Sequence, residues 1–290
     1  MLPARWWAAE PMEKDAERRA YRCGLCFHNC LIPVGGKGWC GVRRGGETAL
    51  ESPFLGRFTS MAVDPMEKKP LYRFRPGSFI FSLGSVGCTM RCPFCQNHEI
   101  AQPKGSPRLV DLSVAELLGK LREVGLSSVA FTYNEPTLQA EYILAAAPLL
   151  REAGIAVVLV TNGMMSDACL ADLAPVVDAA NVDLKTFSPT AYTRMGGDRE
   201  RAQRSVRLLR EAGAHVELTT LVVPGISDNP EEFAAEVEWI AELSPDIPLH
   251  LSRYFPAHKF TAPATDVELL RQFKAVAEAR LRHVYLGNVR

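Results

Sequence analysis

The sequence predicts an α/β fold: a partial, open (β/α)6 barrel of the TIM type with a small N-terminal cysteine-rich metal module. Three observations carry that expectation. From residue 79 onward, short apolar runs alternate with helical patterns about six times. Strands alternating with helices of that length pair in parallel through right-handed crossovers. Six units are too few for a complete eight-fold barrel, whose site would lie at the C-terminal ends of its strands. Seven of the eight cysteines fall in two tight sets, at 23, 26, 30, 40 and at 88, 92, 95. Finally, 290 residues, 47% of them hydrophobic, suit one large domain with an appendage. We place the module and an arm at 1–75 and the barrel at 76–290.

The candidate strands are 79–83, 128–132, 156–161, 180–185, 215–223, 248–254 and 283–286. Helical patterns lie near 113–124, 137–152, 166–178, 199–212, 230–243 and 265–280. Ser113 with Glu116, Ser166, and Asp228 or Asn229 before Pro230 read as N-caps. Gly125, Gly154 and Gly213 read as C-terminal caps. Ahead of the barrel, residues 11–20 predict a short charged helix, and 45–75 an arm punctuated by Asp64-Pro65 and Pro70.

Composition narrows the function. The 33 basic and 33 acidic residues cancel, which gives no support for nucleic acid or an anionic membrane as a general partner. The longest apolar run, Ile155 to Val160, is far too short to span a bilayer. Residues 1–10 hold Trp6 and Trp7 but no signal-peptide core. The expectation is a cytoplasmic protein, where clustered cysteines bind metals or clusters and do not form disulfides. Cys169 stands alone and reads as a buried, small apolar residue.

Cys23, Cys26, Cys30 and Cys40 are interleaved with Gly35, Gly36, Gly38 and Gly41. Four thiolates on so short a segment suit a tetrahedral zinc ion, and a second [4Fe–4S] cluster is equally permitted. His28 could replace one thiolate, but its place between Cys26 and Cys30 favours a solvent-facing or neighbouring role. The second set, Cys88, Cys92 and Cys95, has Cys-x3-Cys-x2-Cys spacing directly after the first apolar run. Three thiolates can hold three irons of a cluster ordinarily held by four, which leaves one iron open to a small molecule. With His98 the same set could make a Cys3His zinc site. Polar groups at successive strand ends favour the cluster, because a closed zinc site has no use for a cofactor-sized polar rim.

The spacing, with Phe94 one residue before the last cysteine, resembles the signature of the radical S-adenosylmethionine (radical SAM) enzymes. Six stretches extend the likeness to the radical SAM component of the AmmeMemoRadiSam system, a relative of the pyruvate formate-lyase (glycyl-radical enzyme) activating enzymes. They are 23–30, 38–43, 64–71, 87–97, 133–136 and 285–289. The resemblance implies that the amino and carboxylate groups of S-adenosylmethionine chelate the open iron. It implies that an electron from the cluster cleaves the sulfonium to a 5′-deoxyadenosyl radical, which abstracts hydrogen from a substrate. A flavodoxin- or ferredoxin-like electron donor is implied as well.

The strand ends supply the cofactor contacts. Asn134 and Glu135 follow the second strand, and Glu135 is placed to receive an ammonium group. The stretch resembles the family's Gly-Gly-Glu-Pro motif, with Tyr133 and Asn134 in place of the glycines. Thr161 and Asn162 end the third strand, with Gly163 permitting close approach. Period two puts Asn181, Asp183 and Lys185 on one face of the fourth. Asp183 and Lys185 could pair with each other, or bind a ribose hydroxyl and a carboxylate, as the Asp-x-Lys element does in the activase branch. On the fifth, His215, Glu217 and Thr219 line the lumen beneath the ligand, with Glu217 counted among the cofactor contacts. Residues 224–228 resemble the Val-Pro-Gly-x-x-Asp turn of that branch. His250, Arg253, Tyr254, His258 and Lys259 are substrate-side candidates, and no residue is singled out as catalytic.

Two other functions compete. An activase would install a glycyl radical on a partner protein, although residues 96–112 leave no room for a ferredoxin-like insert after the cysteine loop. A non-enzymatic interaction protein would hold zinc at both sets.

Overall fold

A computed structural model describes residues 2–12, 15–103, 105 and 107–289. In chain order the strands are β1 (Trp7–Met12), β2 (Asp15–Cys23), β3 (Leu31–Pro33), β4 (Arg44–Gly45), β5 (Leu50–Glu51), β6 (Arg57–Phe58), β7 (Ser60–Pro65) and β8 (Phe79–Gly84). After the short helix α1 (His98–Ala101) come β9 (Val110–Asp111), α2 (Val114–Glu123), β10 (Ser128–Phe131), α3 (Ala140–Glu152), β11 (Ala156–Thr161) and α4 (Asp167–Leu173). The chain continues with β12 (Ala179–Asp183), α5 (Pro189–Arg194), α6 (Arg199–Glu211), β13 (His215–Val222), α7 (Pro230–Leu243), β14 (Leu249–Arg253), α8 (Val267–Glu278) and β15 (Val284–Gly287).

The main sheet runs β15-β14-β13-β12-β11-β10-β8-β7. All its pairings are parallel except that of β7 with β8. Its edges, β7 and β15, are not bonded to each other, so this is the expected open barrel with six βα crossovers. β8, β10 and β11 read as near-continuous apolar runs because both their faces are covered, whereas β12, β13 and β14 alternate apolar residues with polar ones. The end of the arm is itself barrel sheet, since β7 pairs with β8 from Ser60↔Gly84 to Pro65↔Phe79.

Caps set the helix boundaries. Ser113 and Glu116 form a reciprocal capping box, Ser166 accepts from the Cys169 amide, and Asn229 accepts from Glu232. Gly125, Gly154 and Gly213 have φ of 66°, 69° and 94°. The expected helix at 137–152 begins as a 3-10 turn, Pro136–Gln139. That at 166–178 ends in another, Ala174–Val176. Cys169 is fully buried. No helix among the described residues is long and apolar enough to cross a membrane.

The charged helix expected at 11–20 is a correction: the segment belongs to an antiparallel hairpin, with Trp7 opposite Cys23 and Tyr21 opposite Ala9. Glu13 and Lys14 lie outside the described residues. Trp7 packs edge-on against the buried Tyr21 at 5.3 Å, and β3 adds a third strand. Tertiary pairing of this kind overrides a weak local helix propensity.

The lower lumen is plugged by the chain between β7 and β8. Met66 and Leu71 fill it against Ile80, Ala130, Val158 and Ala179, and the two alanines leave room for them. Above this layer the Glu217 carboxylate accepts from the backbone N–H of Tyr72 and Arg73, at 3.0 and 2.7 Å. It also meets the His215 and His250 rings at 2.9 and 2.6 Å. Burial opposes its charge, but these partners prevail and hold its pKa down at about 2.

Glu236 on α7 has the opposite environment. It is buried and receives only the Thr220 hydroxyl, so desolvation pushes its pKa up to about 8. A raised carboxyl gives stability that is full below pH 4.5 and is lost as pH rises through about 8. Glu236→Gln keeps the acceptor and removes the titration. Its stability relative to wild type should therefore grow by roughly 1 kcal/mol per pH unit between about pH 5 and 8, then level off. Urea unfolding across that range checks this, and a difference independent of pH would refute it.

Candidate active site

A cavity of about 520 Å³ lies at the C-terminal ends of the parallel strands. Cys88, Cys92 and Cys95 all border it, as do Phe94, Asn134, Glu135, Asn162, Asp183 and Lys185. Thr161 and Glu217, expected among the cofactor contacts, do not. Glu217 lies in the lumen, as its strand period required, but its four partners commit the carboxylate to the plug and it does not reach the cavity.

The cysteine loop is held by side chains from the neighbouring strand ends. Asn134 clamps it at two points, its Oδ1 accepting from the Ser85 amide at 2.8 Å and its Nδ2 donating to the Gly87 carbonyl at 2.9 Å. Asn162 bonds the Thr89 hydroxyl and reaches the Cys88 sulfur at 3.5 Å. Behind them sits the Glu135 carboxylate. It accepts from Thr161 Oγ1 at 2.7 Å, the Asn162 amide at 2.9 Å, and the amide and hydroxyl of Thr137 at 3.0 and 2.5 Å. Burial pushes its pKa up, against the pull of these donors.

Tyr133 has φ of 68°, a left-handed conformation that glycine adopts freely and other residues at a cost of about 1–2 kcal/mol. A glycine would meet no such cost. Here the tyrosine gains contacts in return. Its hydroxyl donates to Asp64 at 2.6 Å, and its ring lies 4.5 Å from the Lys69 ammonium. Gly84 leaves the space, since a Cβ there would sit 2.8 Å from the ring.

Asp64 also pairs with Lys68 and Lys69, both at 2.7 Å. Burial works against its charge, but the two lysines and Tyr133 hold the carboxyl well below the usual carboxylate range. Burial lowers Lys69. Sequence reasoning assigned this stretch no role, yet Lys68, Lys69 and Pro70 form a wall of the cavity. The available signal was an acid with two lysines four and five residues on, set among apolar residues.

Asp183 and Lys185 pair at 2.7 Å on the cavity wall, so the ion pair and a ligand-facing position coexist. Burial opposes the Lys185 charge, but Asp183 with Cys92 and Cys95 raises its pKa overall. Burial likewise pushes up all three thiols, Cys92 to about 11 and Cys88 well above its ordinary value. Thiolates there demand a bound cation, which is what an iron site supplies. Among the described residues no three His, Cys, Asp or Glu side chains surround a point suited to one ion. A cubane cluster differs in giving each thiolate its own iron. The donor set, one buried and two half-buried thiols with an asparagine amide on one sulfur and a lysine nearby, fits an anionic cluster.

His98 faces away, with Nδ1 3.2 Å from the Cys95 carbonyl and its ring stacked on His258. His250 belongs to the lumen with Glu217, Arg253 donates to the Thr265 carbonyl at 2.8 Å, and Tyr254 to that of Phe260 at 2.8 Å. None of these three borders the cavity, and neither do His258 and Lys259, so the substrate-side expectation fails for all five.

The N-terminal module closes over the other side of the loop. His28 Nε2 lies 2.7 Å from the Thr89 carbonyl, and the Phe27 and Ser166 amides donate to Met164 and Leu25. The buried Arg43 pairs with Glu141 of α3 at 2.5 Å. Gly87, with φ of 88°, sits where a Cβ would lie 2.4 Å from Val42 and 2.8 Å from the Cys40 carbonyl.

The Radical SAM superfamily model matches residues 83–239. An uncharacterized protein of Methanocaldococcus jannaschii is 33% identical over 272 residues, 92% of this chain and 81% of its own. The 7-carboxy-7-deazaguanine synthase of Thermococcus kodakarensis is 28% identical over 54% of this chain and 67% of its own. A radical SAM methyltransferase from Sphaerobacter thermophilus shares the fold at a TM-score of 0.55 and 16% identity, over 98% of this chain and 76% of that one. The chain belongs to the radical SAM superfamily.

Gly87→Ala should cost roughly 2–4 kcal/mol, because strain and overpacking add. Gly154→Ala shares a positive φ but meets nothing within 4 Å, and should cost about 1 kcal/mol. Urea unfolding compares them; equal losses would mean that the module does not confine the loop.

Proposed function

We propose that the chain reductively cleaves S-adenosylmethionine at a [4Fe–4S] cluster held by Cys88, Cys92 and Cys95, to begin hydrogen abstraction from a substrate. The observation that carries this reading is the set of three thiols on one polar cavity at the strand ends. Bound there, the cluster would supply one electron to the sulfonium, giving methionine and the 5′-deoxyadenosyl radical. The chain's own share is positioning and exclusion of side reactions. Asn134 and Asn162 fix the loop, Phe94 covers one side of the cavity, and Asp183 and Lys185 offer an acceptor and a cation to the ribose and carboxylate. Glu135 acts behind the loop: with four donors already on its carboxylate, it shapes the ammonium site by holding Asn162 in place.

A second metal site, zinc or cluster, at Cys23, Cys26, Cys30 and Cys40 is kept as part of the proposal, although their side chains do not surround a point suited to one ion in the structure. A protein or peptide substrate, a flavodoxin- or ferredoxin-like donor and a reducing cytoplasmic setting complete the proposal. The Asp183-x-Lys185 pair on the cavity wall favours an activase as the second reading. A glycyl radical detected by electron paramagnetic resonance on a co-incubated partner would identify that branch.

Anaerobically reconstituted and reduced wild type should release 5′-deoxyadenosine and methionine in equal amounts. Cys92→Ala should release none and lose iron and sulfide together. Normal turnover in Cys92→Ala, or zinc without iron at both cysteine sets, would overturn the proposal.

A further inference from the structure

A second cavity, of about 800 Å³, lies on the other side of the cysteine loop, beneath the N-terminal module. Five cations border it (Lys37, Arg44, Arg57, Arg91 and Lys259), and no carboxylate does so among the described residues. In a chain whose 33 basic and 33 acidic residues balance, this is a strong local excess. Arg57 has Asp111 at 2.9 Å. The other four have no ion-pair partner among the described residues, and the Arg44 Nε is buried without a hydrogen bond. These cations come from separate segments that the fold draws together. The Lys259 amide donates to the Pro93 carbonyl at 2.9 Å, and the Arg91 guanidinium donates to the Trp39 carbonyl at 3.1 Å while lying 4.1 Å over its ring.

Two features say what such a cavity receives. The first is the exposed Trp39, 38% accessible and stacked with Arg91 on the same cavity wall as Lys37 and Lys259. Tryptophan and arginine are the residues that protein interfaces concentrate, and a site for a small anion has no need of an exposed indole. The second is Cys88, which borders both cavities. A redox group docked on the basic side would sit against the sulfur that holds the cluster, without crossing the space reserved for cofactor and substrate.

We propose that the basic cavity is the docking site of a small acidic one-electron carrier protein, which reduces the cluster through the Cys88 side of the loop. The inference rests on the cluster assignment above. In the step, one electron leaves the donor, which is oxidised by one, and enters the cluster, which is reduced by one; no atom moves.

The test uses reconstituted holoenzyme, an acidic flavodoxin as probe, and the variant Lys37→Glu/Lys259→Glu, whose two lysines are exposed. Lys120→Glu/Lys274→Glu, on α2 and α8 and away from this cavity, is the charge-matched control. Binding of flavodoxin is read by calorimetry at low and high salt, and cluster reduction by its visible absorbance, with flavodoxin or dithionite as reductant. The double variant should weaken flavodoxin binding by at least about tenfold and slow flavodoxin-driven reduction to match. Salt should weaken binding to wild type. Dithionite-driven reduction and cleavage should match wild type in every variant. Unaltered flavodoxin binding in the double variant would overturn the proposal. So would tight binding of inorganic pyrophosphate by a wild type that ignores flavodoxin. Either result, with dithionite-driven cleavage intact, leaves the cluster assignment standing; absence of a cluster in wild type would remove both.

Discussion

The Glu135 carboxylate is the point on which the cysteine loop depends. Its four donors come from the turn after β10 and from the end of β11. By fixing the Asn162 backbone it also aims the asparagine side chain at Thr89 and Cys88. A buried carboxylate is tolerated only where donors surround it, so losing one donor would disturb the rest. The loop thus inherits its shape from the barrel wall, as a site built on rigid elements should.

The N-terminal module completes the confinement from the other side. Arg43 and Glu141 are both almost fully buried, and removing one partner of such a pair costs about 3–5 kcal/mol because a charge is left unpaired. That dependence makes the pair a weak source of net stability but a strong device for orientation. With Gly87 pressed against Val42 and the Cys40 carbonyl, the loop packs directly on the module. The two cysteine loops therefore pack against each other, although nearly fifty residues separate Cys40 from Cys88 in sequence.

Much of this was legible from residue patterns. The barrel strands and their caps follow from apolar periodicity and cap chemistry, which are local. The hairpin at the N-terminus was not legible, because its charged residues pair with a strand whose partnership depends on Trp7 meeting Tyr21. The plug was missed for a related reason: Met66 and Leu71 look like ordinary arm residues until Ala130 and Ala179 open the lumen to them. Glu217 shows the limit of period arguments. Alternation placed it in the lumen, but only the path of residues 70–73 reveals that its oxygens are already taken.

The polar strand ends then divide into two kinds. Asn134, Glu135, Thr161 and Asn162 spend most of their hydrogen-bonding capacity on the chain itself, so their polarity builds the loop before it serves any ligand. Asp183 and Lys185 spend theirs on each other and keep a face to the cavity. An ion pair can exchange partners with a zwitterionic ligand at modest cost, whereas a saturated buried network cannot. On the proposed reading, exchange of partners with a bound molecule falls to the end of β12, while the side chains that hold the cysteine loop are already committed.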